Sequence, residues 1–448
     1  MKAKTLEPPA MTHAIAVNAS PAALTAPTVK RLSNGLTIIA QQMPVDVVNL
    51  SLWLRVGSAV ESDAINGMAH FLEHMIFKGT SQLPMGEFER RIEAQGGVTN
   101  AATSQDYTQF FITTAPQDFA ALAPLQIELV MNPLLSEAEF ERERPVILEE
   151  ILRAQDNPRR RTFYRSMALA FERLPYRRPV LGPAAVIEQL TAEQMQAFHR
   201  YWYQPERMTA VAIGNLPTET LIQTVADSFD QALAARQPSS TQRYGDANVY
   251  RSAPEAPFTS VQRQAYVDPA LQQARLVLNW RVPGLAEVEE TDALDVLSSI
   301  LGRGRMSRLV RDLREDRQLV TGISASNMSY WQQGVFSISA QLPPANLAAV
   351  EAAIVEQITQ ICEAPVTDRE LQRVQTQVAN RYVFGSESPS DRAGLYGYYQ
   401  TLTGQLHAAL NYPNRVQQFT PADIQAAAQA YLSPQAYGVL RITPNPAP

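Results

Sequence analysis

LSEAEFERERPVILEE, residues 135–150, returns as VTDRELQRVQTQVANR at residues 366–381. An offset of 231 (367 minus 136) sets Ser136 on Thr367, Glu139 on Glu370 and Arg142 on Arg373. Ser and Thr cap helices by accepting a backbone N–H of the first turn, so both stretches read as helices that start at the same point. Recurrence at one spacing makes the chain a duplication.

Working outward from the first copy, residues 29–43 (VKRLSNGLTIIAQQM) read as a hairpin, because Asn34-Gly35 favours a tight turn between apolar runs. A strand follows at 48–58, helices at 67–78 and 84–95, a strand at 98–114, and helices at 117–131 and 136–155. The second copy keeps the order: a strand at 275–282, helices at 288–301 and 306–316, strand pattern over 319–342, and helices at 345–362 and 367–383. Between the copies, residues 236–262 are polar and rich in Pro and Ser, the composition of an exposed linker. The expected organisation is a disordered arm at 1–28, a metal-bearing domain at 29–235, the linker, and a homologous domain without metal at 263–448. The expected class is α+β, each domain a mixed or antiparallel sheet with helices on one face, the two set as the bowls of a clamshell.

Composition narrows the function. A chain of 448 residues with 45% hydrophobic and 18% charged residues exceeds one core and is an ordinary globular protein. A formal charge of -6 gives no footprint for nucleic acid, and no run of 18 apolar residues is present to span a membrane. Cys362 is alone, so a metal site must be built from His and carboxylate. The arm is rich in Ala, Pro and Thr and lacks Arg, and Pro9, Asn18 and Pro21 break any secretory core. The expected location is therefore the bacterial cytoplasm, with an organellar or periplasmic location as the alternative.

Two of the five histidines stand in GMAHFLEHMIFKGT, residues 67–80. At i and i+4, His70 and His74 lie one turn apart on one helix face and can share a tetrahedral ion. Glu73 reaches the same side and can take a proton from a metal-bound water, the arrangement H-x-x-E-H. A catalytic zinc needs a third ligand, and ERERPVILEE at 141–150 offers Glu143 and Glu150, seven residues apart on one face, while Glu149 points about 100° away. Glu150 is the expected ligand, and Glu143, two turns earlier, the carboxylate that orients a ligand or water. The repeat supports this choice, since Val374 and Arg381 replace Glu143 and Glu150 in the second copy. The bland alternatives are a hydrogen-bonded histidine pair in the core or a structural ion, but a Glu buried beside two histidines is costly without a function. His13, His199 and His407 have no motif around them.

The stretches HFLEHMIFKGT (70–80), GGVTNAATSQDYTQFF (96–111), ERERPVILEE (141–150) and SRLVRDLREDRQLV (307–320) together resemble the pitrilysin-type inverzincin peptidases, which include mitochondrial processing peptidase and insulin-degrading enzyme. The resemblance covers residues 29–440. It implies one zinc ion per chain on His70, His74 and Glu150, Glu73 as base and Glu143 as supporting acid. It also implies a peptide substrate added as a strand along Asn100 and Ala101, and a substrate-binding Arg314. Active members place a Tyr seven residues after that Arg, where this chain has Thr321. A short Thr stem does not reach the same oxyanion. The chain thus looks like the zinc-holding subunit of a heterodimer whose paralogous partner carries the Arg/Tyr pair, with a homodimer as the alternative. Tyr396, Tyr398 and Tyr399 are weighed as substitutes, against the more ordinary role of core aromatics. The expected activity is endopeptidase cleavage of unfolded peptides or presequences. The competing readings are a non-catalytic assembly subunit like the respiratory-complex core proteins and a chain that only presents peptide to another.

Overall fold

A computed structural model describes residues 26–236 and 252–444. The expected N-terminal arm, up to residue 25, and most of the expected linker lie outside the described residues. The first half contains strands β1 (Thr28–Arg31), β2 (Thr37–Gln42), β3 (Val48–Leu54), β4 (Val98–Thr103), β5 (Thr108–Thr114) and β6 (Met208–Gly214). Its helices are α1 (Met68–Ile76), α2 (Glu87–Ala94), α3 (Phe119–Met131), α4 (Glu137–Asp156), α5 (Pro158–Ala170), α6 (Ala184–Ile187), α7 (Ala192–Trp202) and α8 (Thr218–Ala235). The second half has β7 (Gln262–Val267), β8 (Ala274–Pro283), β9 (Gly322–Ser329), β10 (Gln333–Leu342) and β11 (Gly438–Thr443). Its helices are α9 (Val288–Gly302), α10 (Leu347–Glu363), α11 (Asp368–Phe384), α12 (Pro389–Thr403), α13 (His407–Gln418) and α14 (Pro421–Tyr431).

The duplication is visible in the strand order. The first sheet runs β1-β2-β6-β3-β5-β4 and the second β7-β11-β8-β10-β9. Without β1 the two coincide, down to the single parallel pair, β2 with β6 and β7 with β11. The repeated helices begin as their caps require: Ser136 accepts from Glu139 N, and Thr367 from Glu370 N. The turn at Asn34-Gly35 also forms, with Gly35 at φ 89° and Asn34 Oδ1 accepting from Leu36 N at 3.0 Å. Two expectations change. Residues 98–114 are a hairpin and not one strand, because Ser104, Gln105 and Asp106 turn the chain between β4 and β5. The helix expected at 306–316 is a π-helical stretch over Val310–Asp316.

Each half lays its own helices on one face of its sheet, the α+β layering read from the sequence. The opposite face is covered by a helix from the other half. α12 packs on β3 and β6, where Ala393, Tyr396 and Leu406 meet Ile39, Trp53, Val211 and Ile213. In return α5 packs on β8 and β11, with Leu169 against Val277, Leu440 and Ile442. This exchange explains why β3 and β6 are buried at every residue, although an antiparallel sheet usually wets one face. It also needs a glycine, since a Cβ on Gly397 would lie 2.0 Å from Trp53 Nε1. Tyr396 is therefore a core residue of the α12 contact, and Tyr398 packs against the same cluster.

Polar groups pin the same junction. Asp106, in the β4–β5 turn, accepts from Trp331 N at 2.8 Å and from the Tyr176 hydroxyl at 3.0 Å, while Tyr176 stacks on Tyr330 at 4.5 Å. Within the stretch read as a linker, Glu255 is buried; it accepts the backbone N–H groups of Glu172, Arg173 and Leu174 and pairs with Arg281 at 3.0 Å. Among the described residues, no helix is long and apolar enough to cross a membrane.

Candidate metal centre

α1 carries the histidines, and its placement begins at its N-terminus. Gly67 precedes it at φ 102°, and a Cβ there would meet the Leu181 carbonyl oxygen at 2.6 Å. The N–H groups of the first turn are taken by a side chain six residues upstream. Glu61 accepts from Gly67 N at 2.8 Å, from Ala69 N at 2.7 Å and from the Asn66 amide at 2.8 Å. A carboxylate at this end also suits the helix dipole. Phe71, Leu72, Met75 and Ile76 sink the other face into the core, which fixes the rotation that turns His70 and His74 toward α4.

α4 answers from the opposite side. Glu150 Oε2 stands 3.5 Å from His70 Nε2 and 3.6 Å from His74 Nε2, and one ligand atom from each of the three residues lies within 4.8 Å of the others. Glu149 points away, 65% exposed, and pairs with Arg153. Ligands about 2.0–2.2 Å from a tetrahedral ion stand roughly 3.3–3.5 Å apart. The two Glu150 separations match that spacing, so the donor set suits zinc, and it is the only such group among the described residues. Burial, then the adjacent His74 and Arg160, push the His70 pKa down to about 3, which keeps its imidazole in the neutral form that binds metal. His70 Nδ1 has no hydrogen-bond partner among the described residues, so no carboxylate orients that ring from behind.

His74 is held differently. Its Nδ1 is 2.9 Å from Glu143 Oε1, and the other oxygen of Glu143 is 2.6 Å from Lys78 Nζ. Burial works against ionisation of Glu143, yet the bonds from Lys78 and His74 keep its carboxyl below the ordinary range. An ionised Glu143 accepts a hydrogen bond from Nδ1–H and leaves Nε2, facing Glu150, free to donate its lone pair to a metal. Glu73 lies on the same face of α1, near enough to His74 and Glu150 for their charges to act on it. Its Oε2 accepts from Thr103 Oγ1 at 2.5 Å. Burial raises the pKa of Glu73 and the Thr103 bond partly offsets it, so the carboxyl is poised to hold a proton more readily than a free Glu.

The family described as Insulinase (Peptidase family M16) matches residues 36–184, and the one described as Peptidase M16 inactive domain matches residues 189–378. The chain belongs to peptidase family M16. This M16 chain is 29% identical over 428 residues to an uncharacterized zinc protease of Mycobacterium tuberculosis, covering 95% of each. It is 26% identical over 410 residues to the zinc protease PqqE of Helicobacter pylori, covering 89% of each. Its fold matches the crystal structure of a protease from Helicobacter pylori with a TM-score of 0.85 and 25% identity, over 93% of this chain and 99% of the other.

Around this M16 centre the remaining expected residues fall in two groups. Asn100 and Ala101 are on β4, the edge strand of the first sheet, which borders α1 and delivers Thr103 to Glu73. Arg314 and Thr321 are engaged within the second half, Arg314 with Glu315 at 2.5 Å and Thr321 with Gln273 at 2.7 Å and the Gln341 carbonyl at 3.1 Å. Sequence reading missed Glu61, Lys78, Thr103 and the α5 pair Arg160 and Tyr164, whose electrostatic neighbours are His70 and Glu150. Lys78 had a signal, since it lies at i+4 from His74. Thr103 did not, because only the sheet brings it to α1.

The second half of the M16 chain keeps the frame and loses the ligands. α9 stands where α1 does, and Asp295 accepts from Asn327 on β9 at 2.9 Å, much as Glu73 accepts from Thr103 on β4. Asp292 is committed to Arg415 at 2.5 Å, Val374 is buried where Glu143 would be, and Arg381 replaces Glu150.

Proposed function

We propose that the chain is a zinc-dependent endopeptidase acting on extended peptides, with His70, His74 and Glu150 as ligands and Glu73 as general base. The observation that carries this reading is the meeting of three ligand atoms within 4.8 Å beside a half-buried carboxylate that is not itself needed as a ligand. A zinc ion held there supplies Lewis acidity, which acidifies water and polarises a peptide carbonyl. Every other step belongs to the chain. Thr103 fixes Oε2 of Glu73, leaving Oε1 to accept the proton of the attacking water and to return it to the departing amine. Glu143 and Lys78 keep the His74 proton on Nδ1. β4 offers its free edge, so a substrate backbone can add as a strand next to Glu73, with its main-chain hydrogen bonds indifferent to side-chain sequence.

The oxyanion has no second donor from Arg314 or Thr321, whose hydrogen bonds stay within their own half. For that reason the proposed enzyme works with a paralogous chain that supplies an Arg and a Tyr. The test is Glu73→Gln. The variant should retain one zinc per chain and lose at least 100-fold in turnover of an unfolded peptide, assayed with and without the candidate partner. Full turnover would remove Glu73 from its role, and a wild-type chain without stoichiometric zinc would favour an assembly subunit.

A further inference from the structure

A cavity of about 450 Å³ opens between α5 of the first half and strands β8, β9 and β10 of the second. Its polar wall is made by Arg159, Thr162, Arg275, Ser324, Ser339 and Gln341, two guanidinium groups with no carboxylate among them. Two other arginines of the same α5 run are occupied. Arg161 pairs with Asp268 at 2.6 Å, and Arg165 lies 4.2 Å over the Tyr266 ring. Arg159 and Arg275 have no acidic partner among the described residues. Arg275 donates to Gln341 Oε1 at 2.6 Å, while its Nε is buried and unpartnered.

Two like charges facing one partly enclosed space destabilise each other, and an unpaired buried N–H carries a desolvation cost of its own. Burial, and the charge of Arg159, depress the pKa of Arg275. Guanidinium groups without a carboxylate partner, set beside hydroxyl groups, suit a planar or tetrahedral anion. Ser324 and Ser339 supply hydroxyl groups to the cavity lining. Gly322 leaves the β9 side open, since a Cβ there would touch nothing.

We propose that this cavity binds a small oxyanion, a carboxylate or a phosphate, held between Arg159 and Arg275. The walls come from both halves, so the bound anion ties α5 to the second sheet and stabilises their junction. The inference is independent of the metal centre. It is tested by titration calorimetry on the full zinc-loaded chain at constant ionic strength, using inorganic phosphate, N-acetylphenylalanine and the amide of that amino acid. Saturable binding of phosphate or of the free acid is expected, weakened at least tenfold in both Arg159→Gln and Arg275→Gln, with no binding of the amide. Phosphate alone would identify a free anion as the occupant, and the free acid alone a peptide carboxylate. Absence of saturable binding by both anions, or binding that survives both substitutions, would overturn the proposal. Arg159 is exposed, so its variant gives a decisive result even if Arg275→Gln folds poorly.

Discussion

Replacing Glu143 by Gln should cost zinc affinity without touching a ligand. The side chain is 7% exposed and uses both oxygens, one on His74 Nδ1 at 2.9 Å and one on Lys78 Nζ at 2.6 Å. Glutamine keeps the shape but replaces one acceptor by an NH₂ group. If the amide oxygen stays on Lys78, the NH₂ faces Nδ1, and the imidazole proton must move to Nε2, the atom that faces Glu150. If the amide flips, the NH₂ abuts the ammonium of Lys78. Loss of such an orienting carboxylate typically weakens metal binding about 10–100-fold, or roughly 1.4–2.8 kcal/mol. Lys78 is 25% exposed, so water relieves part of its lost pairing, and stability should fall by about 1–3 kcal/mol. Competition against a fluorescent zinc chelator reads the first quantity and urea unfolding of the zinc-free chain the second. Wild-type zinc affinity in Glu143→Gln would refute the assignment of Glu143 as the group that sets the His74 tautomer.

Two further outcomes test the frame. Gly397→Ala drives a methyl group to within 2.0 Å of Trp53 Nε1 and should destabilise the chain by about 1–3 kcal/mol, because α12 must lift off the first sheet; an unchanged urea midpoint would contradict the exchanged-helix packing. Burial raises the Asp106 pKa to about 6, against the bonds from Trp331 and Tyr176 and the charge of Arg55. The group's contribution is fully present below about pH 4 and is lost as pH rises through 6. Wild type should therefore lose on the order of 3 kcal/mol relative to Asp106→Asn between pH 4 and pH 7, and a pH-independent difference between the two would show that Asp106 titrates normally.

Much of the candidate metal centre is legible in the sequence because its geometry is helical. His70, Glu73 and His74 share one face by spacing alone, and the cap at Ser136 sets the phase that separates Glu150 from Glu149. The parts that escaped depend on contacts that no helical spacing signals. Thr103 reaches Glu73 only through the pairing of β4 in the sheet, and Glu61 caps α1 across a turn with no capping-box spacing. α5 and α12 went unread for a related reason. α5 buries Thr162, Ser166 and Ala170 alongside Met167 and Leu169, and α12 contains Gly394 and Gly397, so neither shows the apolar stripe of an ordinary surface helix. Their residues are chosen to fit the back of the other half's sheet.

The proposed ligand set is tested most directly by anomalous diffraction at the zinc absorption edge from crystals of the zinc-loaded chain. A single peak is predicted about 2.0–2.2 Å from His70 Nε2, His74 Nε2 and a Glu150 oxygen. A peak elsewhere, or one with the Glu150 carboxylate turned out to solvent, would contradict the account.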